Sequence, residues 1–249
     1  MVKRNYLVII PTFNEAKSVQ LLLPRLLSFP VDILIVDDDS PDGTASICRA
    51  IEVDSKEQER ITVLERRGKR GMGSAYLEGY SQALKKRYEF IIQMDADGSH
   101  RLDDLPQMMA AIESDDTLGV VIGSRWIEGG DVQNWSKRRE FLSRTANAYT
   151  KKCLDSEIND LTAGYRIYRT SLLHQMNLRG IESQGYSFQI EMTREALKVG
   201  AKIIEVPVIF VERMHGVSKM NSKIILEAML KVTAWGLLRK SNLIRKPVK

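Results

Sequence analysis

Cysteine, tryptophan and histidine are scarce in this chain of 249 residues, which has two, three and three of them. Cys48 and Cys153 fit neither a zinc-ligand nor a Cys-x-x-Cys redox spacing, so buried reduced thiols of a cytosolic protein are expected. His100, His174 and His215 lack the paired spacing of metal ligands and are expected to be structural or surface residues. No apolar run approaches the ~20 residues that cross a bilayer, so no transmembrane segment is expected. Met1-Val2-Lys3-Arg4 passes straight into a short apolar stretch, which is not the layout of a signal peptide. Neither GxxxxGK[ST] nor GxGxxG occurs, which excludes the phosphate-loop and dinucleotide fingerprints. Internal repeats and low-complexity linkers are absent as well. Aromatic residues make up 7% and do not interleave with the Arg/Lys clusters, so nucleic acid is not an expected partner.

What is present is a core-forming chain. Hydrophobic residues reach 43%, and 37 Lys and Arg against 32 Asp and Glu leave a net charge of +5. This mild excess points to anionic partners. Tyr6 to Ile10, Val31 to Val36, Ile61 to Leu64, Phe90 to Met94 and Leu118 to Ile122 are continuous apolar runs, as strands buried on both faces require. Amphipathic stretches alternate with them: Val19 to Leu27, a segment opened by Thr44 or Ser46, Ala75 to Lys86, and Leu102 to Glu113. The class expected is α/β, a mostly parallel sheet with helices on both faces.

The second half differs in texture. A helix is expected over Lys137 to Leu154, carrying Arg138, Arg139, Arg144, Lys151 and Lys152. Strands over Ala163 to Arg169 and Ala201 to Val211 flank a helix from Phe188 to Val199. Met214 to Asn221 reads as a mobile loop. Ile224 to Leu238 is apolar at helical spacing with basic residues beside it. One domain over 1–249 is expected, with 1–124 binding nucleotide and 125–249 forming a second half that ends in amphipathic helices.

Acidic residues follow three of the strands: Glu15 the first, Asp37 and Asp38 the second, Asp95 and Asp97 the fourth. In a parallel sheet these fall on one rim, where α/β ligands collect. Clustered carboxylates repel unless a cation or hydrogen-bond donors compensate. Asp95-Ala96-Asp97 can hold a hard divalent cation that shares diphosphate oxygens. Taken alone, Asp-x-Asp with Gly98 and Ser99 fits a turn at least as well.

Four stretches shift that balance. Pro11-Thr12-Phe13-Asn14-Glu15, Asp37 through Thr44, Met94 through His100 and Gly123-Ser124-Arg125 resemble the family-2, GT-A-type (Rossmann-like) glycosyltransferases. Asp160 through Arg166, Gly185 through Glu191, and Glu205-Val206-Pro207 with Arg213, Gly216, Ser218 and Lys219 narrow the resemblance. It is to dolichyl- or polyprenyl-phosphate mannose synthases, above all the actinobacterial polyprenol monophosphomannose synthases, and covers nearly the whole chain in one order.

The resemblance implies an enzyme that transfers mannose from GDP-mannose to a polyprenyl monophosphate with inversion, a β-D-mannosyltransferase. It implies that Pro11, Phe13, Glu15, Val36 and Asp38 contact the nucleotide, with Phe13 replacing a frequent Tyr. Asp95, Ala96 and Asp97 would flank the diphosphate. Mg2+ or Mn2+ would sit on Asp97, with Asp95 and Ser99 beside it. Ser99 stands where some relatives have Gln, and a hydroxyl is the weaker donor. Arg125, Arg139 and Ser143 would receive the acceptor phosphate, and Arg213 and Lys219 the donor diphosphate. Asp97, Arg125, Arg213 and Lys219 are the implied catalytic set.

A phosphate monoester is already anionic at neutral pH, so no protein base is required. Asp160, His100 and Glu191 are therefore not taken as bases; Asp160 is expected to fix Arg166 or its loop, and Glu191 with Gln189 to shape the sugar pocket. Arginines on a helix are ordinarily a solvated face. Position-by-position agreement favours the binding role for Arg125, Arg213 and Lys219 and leaves Arg139 open. The lipid acceptor implies a membrane surface as partner and a peripheral place on the cytoplasmic face, reached through the Trp135-to-Arg144 edge, a membrane-embedded acyltransferase-type partner, or both. For the tail helix, core packing and interfacial binding remain equally good readings. UDP-glucose-dependent transfer to the same lipid, and a non-catalytic nucleotide-sugar or lipid-binding scaffold, are the alternatives.

Overall fold

The computed structural model describes residues 4–54, 59–68, 71–212 and 228–238. The first half alternates as expected: β1 (Tyr6–Thr12), α1 (Ala16–Leu26), β2 (Val31–Asp37), α2 (Thr44–Asp54), β3 (Ile61–Glu65), α3 (Met72–Ala83), β4 (Phe90–Gln93), α4 (Leu105–Glu113) and β5 (Leu118–Ser124). Then follow β6 (Asp131–Gln133), α5 (Lys137–Leu154), β7 (Arg166–Arg169), α6 (Thr170–Gln175), α7 (Gly185–Lys198), β8 (Lys202–Pro207) and β9 (Ile209–Val211). A last described helix, α8, spans 228–238.

Seven strands form one sheet in the order β3-β2-β1-β4-β7-β5-β8. β1, β2, β3 and β4 run parallel, β8 runs parallel to β5, and β7 alone opposes its neighbours β4 and β5. Alternation along β1 divides the core. Tyr6, Val8 and Ile10 pack with α1 and α4 on one face, while Leu7 and Ile9 pack with α3 and α7 on the other. The expectation of a mostly parallel sheet covered on both faces is met. α3 lies close on β1 because residue 79 is glycine; a Cβ there would stand 2.5 Å from Ile9 Cγ2.

The structure departs from the sequence reading at several points, among them the expected strand Ala201 to Val211, which divides into β8 and β9. The strand expected from Ala163 starts at Arg166, because residues 160–164 form a turn held by Gln93, whose Nε2 donates to Gly164 O at 2.9 Å. The short strand β6 pairs in parallel with β9. Its exposed polar residues give no strand periodicity. Cys48 is buried, but Cys153 is half-buried on α5. The loop expected at Met214 to Asn221 lies outside the described residues.

Candidate active site at the carboxyl rim of the sheet

β1 lies between β2 and β4, so the chain leaves β1 toward one side and returns on the other. Such a switch point leaves a crevice at the carboxyl ends of the strands, where open α/β sheets bind ligands. Glu15, Asp38, Asp95 and Asp97 all stand in loops that leave this rim. The β1–α1 and β2–α2 loops are stitched together: Asn14 N donates to Ser40 Oγ at 3.0 Å, Glu15 N to Thr44 Oγ1 at 3.1 Å and Ala16 N to Asp42 Oδ2 at 3.0 Å. Both loops turn through left-handed residues, Asn14 at φ 59° and Asp39 at φ 59°. Asn and Asp tolerate that conformation.

The acidic residues of the second loop have separate tasks. Asp37 is buried, accepting from Thr12 Oγ1 at 2.6 Å and from the backbone and hydroxyl of Ser40 at 2.9 and 2.7 Å. It fixes the loop. Asp38 is paired with buried Arg66, whose Nε donates at 2.7 Å, and accepts from Gly71 N at 2.9 Å. Its carboxylate therefore anchors the basic loop before α3. Val36 and Ala96 are buried in the core, so only their main chain can face a ligand. Pro11, Phe13 and Glu15 are half-buried at the rim, and Glu15 accepts from Ser18 Oγ at 2.9 Å.

The Asp95–Asp97 loop is braced from beneath. Tyr76 Oη donates to Asp95 Oδ1 at 2.8 Å, and Tyr76 stacks on Phe188 of α7 at 5.9 Å. Burial, then the nearby Asp95 charge, holds the Tyr76 phenol well above its usual range, so it remains a donor. Asp95 N donates to His100 Nδ1 at 3.1 Å, and His100 stacks on Tyr165 at 4.8 Å. His100 is thus a structural support, as expected. Gly98 at φ 77° closes the turn, and Ser99 N reaches back to Asp97 Oδ1 at 3.0 Å. Ser99 Oγ is buried with no hydrogen-bond partner.

These residues fit a cation that shares its ligands with a substrate. Among the described residues there is no group of three or more His, Cys, Asp or Glu able to cage a metal. Two carboxylates and an unpartnered hydroxyl suit Mg2+ or Mn2+ completed by diphosphate oxygens and water.

Across the crevice, Arg125 follows β5. Its Nε and Nη2 donate to the two carboxylate oxygens of Asp160 at 2.7 Å each, and its main-chain N donates to Asp160 Oδ2 at 3.0 Å. The pair is buried. Of the two roles expected for Asp160, fixing its loop is met, since Thr162 Oγ1 donates to it at 3.3 Å, and fixing Arg166 is corrected: Arg166 donates to Leu161 O, Ala163 O and Thr193 Oγ1 at 2.9, 2.8 and 2.8 Å. Main-chain carbonyls already satisfy that guanidinium, which frees Asp160 for Arg125. The turn around Asp160 is itself held by Glu205, which accepts from Asn159 N and Asp160 N at 2.8 Å each.

Arg125 joins α5 through a relay. Arg125 Nη2 and Asn147 Nδ2 both donate to Thr162 Oγ1, at 2.9 and 3.0 Å, and Asn147 Nδ2 also donates to Ser143 O at 3.0 Å. Arg139, Ser143 and Asn147 recur at four-residue spacing on α5, so one helix face presents them. The structure thus brings Arg125, Arg139 and Ser143 to one region. Arg139 pairs with Glu212 and lies 3.9 Å over the Trp135 ring. Arg213 and Lys219 lie outside the described residues.

Several contributors escaped the sequence reading. Tyr76 and Asn147 carry no motif, Arg66 has no role in that reading and Thr162 enters it only within the 160–166 stretch; long-range pairing reveals all four. Glu191 accepts from Ser183 N at 3.0 Å, whereas the buried Gln189 amide has no hydrogen-bond partner.

The family model for glycosyl transferase family 2 matches residues 7–176. Polyprenol monophosphomannose synthase of Mycolicibacterium smegmatis is 44% identical over 93% of this chain and 86% of its own length. Undecaprenyl-phosphate mannosyltransferase of Micrococcus luteus is 42% identical over 93% of both chains. Among solved structures, a Pyrobaculum calidifontis mannosyltransferase in complex with GDP-Man and Mn2+ superposes with a TM-score of 0.60 at 19% identity, covering 99% of this chain and 66% of that one. Glucosyl-3-phosphoglycerate synthase of Mycobacterium tuberculosis gives 0.63 at 16% identity, covering 95% and 80%. The structural likenesses bear on the fold alone, but the match to the family model spans more than half of the sequence, and with the two curated relatives it is decisive: this chain belongs to glycosyl transferase family 2.

Proposed function

We propose that this enzyme transfers mannose from GDP-mannose to the phosphate of a polyprenyl monophosphate, giving polyprenyl-phosphate β-mannose and GDP. The observation that carries the reading is the Asp95–Asp97 loop at the sheet's switch point, in a chain similar over 93% of its length to two polyprenyl-phosphate mannosyltransferases. Residues 1–124 are the donor half and 125–249 the acceptor half.

Pro11, Phe13, Glu15, Asp38 and the main chain at Val36 line the side for the guanosine, Asp38 also holding Arg66. Asp97, with Asp95 and Ser99, would hold Mg2+ or Mn2+, which supplies charge neutralisation for the diphosphate and for departing GDP. Tyr76 and Gly98 hold these ligands in place before substrate arrives. Arg125, Arg139 and Ser143 receive the lipid phosphate, Arg125 being oriented by Asp160. Arg213 and Lys219 balance charge on the donor diphosphate. The residues' work is to align two anions that otherwise repel, so that the phosphate oxygen meets the anomeric carbon.

Labelled GDP-mannose and UDP-glucose, offered side by side with decaprenyl phosphate and Mg2+ or Mn2+, test this. Mannolipid should form at least about a hundredfold faster than glucolipid, as expected of a site that hydrogen-bonds its sugar. Failure to form mannolipid with either cation would overturn the reading.

The lipid acceptor also calls for a surface. No described helix is long and apolar enough to cross a membrane. α5 and α8 touch through Tyr149 and Thr233, 2.6 Å apart. α8 buries Val232 but exposes Leu230, Leu237 and Leu238, while α5 exposes Phe141 and Leu142 beside Arg138 and Arg144. Core packing and an interfacial face therefore coexist on α8. We assign this basic, apolar edge to the cytoplasmic bilayer surface, with an acyltransferase-type membrane protein as an additional partner. Co-sedimentation with anionic liposomes should fall severalfold in the Phe141→Glu, Leu142→Glu variant. Undiminished retention would remove the edge from the account, and a wild type that binds neither bare liposomes nor membranes bearing that partner would defeat the localisation altogether.

A further inference from the structure

The segment from Arg125 to Ser136, which includes β6, carries two tryptophans with no hydrogen-bonding role assigned above. Their rings stand 6.3 Å apart in a T-shaped arrangement. Three arginines interleave with them: Arg125 lies 5.2 Å from Trp126 and 5.5 Å from Trp135, Arg139 lies 3.9 Å over Trp135, and Arg144 lies 4.2 Å over Trp126. Within this cluster three N–H donors are buried without a hydrogen-bond partner: Nε1 of Trp126, Nε1 of Trp135 and Nε of Arg139. Buried donors are nearly always paired, so three orphans in one cluster call for acceptors that the described residues do not supply.

The ligand must accept hydrogen bonds and tolerate the arginines, which points to an anion with several oxygens. The arginines alone serve it incompletely. Arg125 Nε and Nη2 are occupied by Asp160, and Arg139 Nη1 by Glu212. Each of those carboxylates offsets one cationic charge, so neutral N–H donors must supply part of the grip. Indole N–H groups donate and never accept, which suits a fully deprotonated phosphate.

We propose that Trp126 and Trp135 are binding residues for the acceptor phosphate, their indole N–H groups and Nε of Arg139 donating to its non-reacting oxygens. This rests on the acceptor reading of Arg125 and Arg139. The aromatic faces hold the guanidinium groups close to the anion, while the ring edges bind it.

Trp126→Phe and Trp135→Phe, singly and together, delete the donors and keep a ring for stacking. A hydrogen bond to a charged group carries on the order of tenfold or more in affinity. The KM for decaprenyl phosphate should therefore rise about tenfold in each variant, with the KM for GDP-mannose and the melting temperature unchanged. Farnesyl phosphate binding, followed by calorimetry without donor, should weaken in parallel, and so should competitive inhibition by inorganic phosphate. A rise in the lipid KM with unaltered phosphate inhibition would place the indoles on the isoprenoid and overturn the proposal. A rise in the GDP-mannose KM instead would place them on the donor, and unchanged constants would return them to packing; either overturns it. A wild type that binds farnesyl phosphate through these indoles yet makes no mannolipid would sink the transfer reading and leave this inference standing.

Discussion

Asp97→Ala should lower mannolipid formation at least a thousandfold while leaving the fold intact. The carboxylate is buried in the turn at the rim, where it accepts from Ser99 N and lies near Tyr76. An alanine there keeps the backbone turn and removes only the carboxylate. It does remove the one residue that the resemblance makes the principal metal ligand. A cation in such a site stabilises transition-state charge by several kcal/mol, and 1.4 kcal/mol is tenfold in rate, so a factor of about a thousand follows. Two measurements check it: initial rates with labelled GDP-mannose, and calorimetric Mn2+ binding in the presence of GDP. Both should collapse together, with the circular dichroism and melting temperature of the wild type. Full activity in the variant would remove the cation from Asp97 and leave the diphosphate to be held by basic residues.

That the acidic residues gather on one rim can be read from sequence, since it needs only strand positions and strand direction. The apolar runs Tyr6 to Ile10, Val31 to Val36 and Phe90 to Met94 are continuous, which marks parallel, doubly covered strands and so puts Glu15, Asp38 and Asp95 at one end. Periodicity carries no sign of direction for a four-residue strand, and the opposed course of β7 was invisible for that reason. Ion pairing was hidden more deeply. Asp38 and Arg66 are 28 positions apart and Arg125 and Asp160 are 35, with nothing local to couple them. Sequence leaves Asp160 two roles, fixing Arg166 or fixing its loop. In the fold the Arg166 guanidinium is enclosed by carbonyls of the 160–164 turn, and the carboxylate turns toward β5 instead. The tryptophans were legible as residues but not as donors, because an unpartnered N–H exists only once its surroundings are built.

The Arg125–Asp160 pair yields the largest expected change in stability. Asp160 is wholly buried and Arg125 is 5% exposed, so neither charge has water to fall back on. Removing one member of a buried pair strands the other, at roughly 3–5 kcal/mol. Asp160→Ala should therefore unfold about 10 °C below the wild type, given roughly 2–4 °C per kcal/mol for a chain of this size. A scanning-calorimetry difference of only a degree or two would mean that the guanidinium finds solvent or a new acceptor. Adding Arg125→Met to Asp160→Ala removes the stranded charge, and the double variant should recover part of the lost melting temperature. On the proposed acceptor role of Arg125 it should not recover transfer, because the lipid phosphate then lacks that guanidinium. The two readouts separate the structural from the binding contribution: a merely structural Arg125 would let activity return with stability, whereas a guanidinium that meets the lipid phosphate leaves a stable protein with a raised KM for the lipid alone.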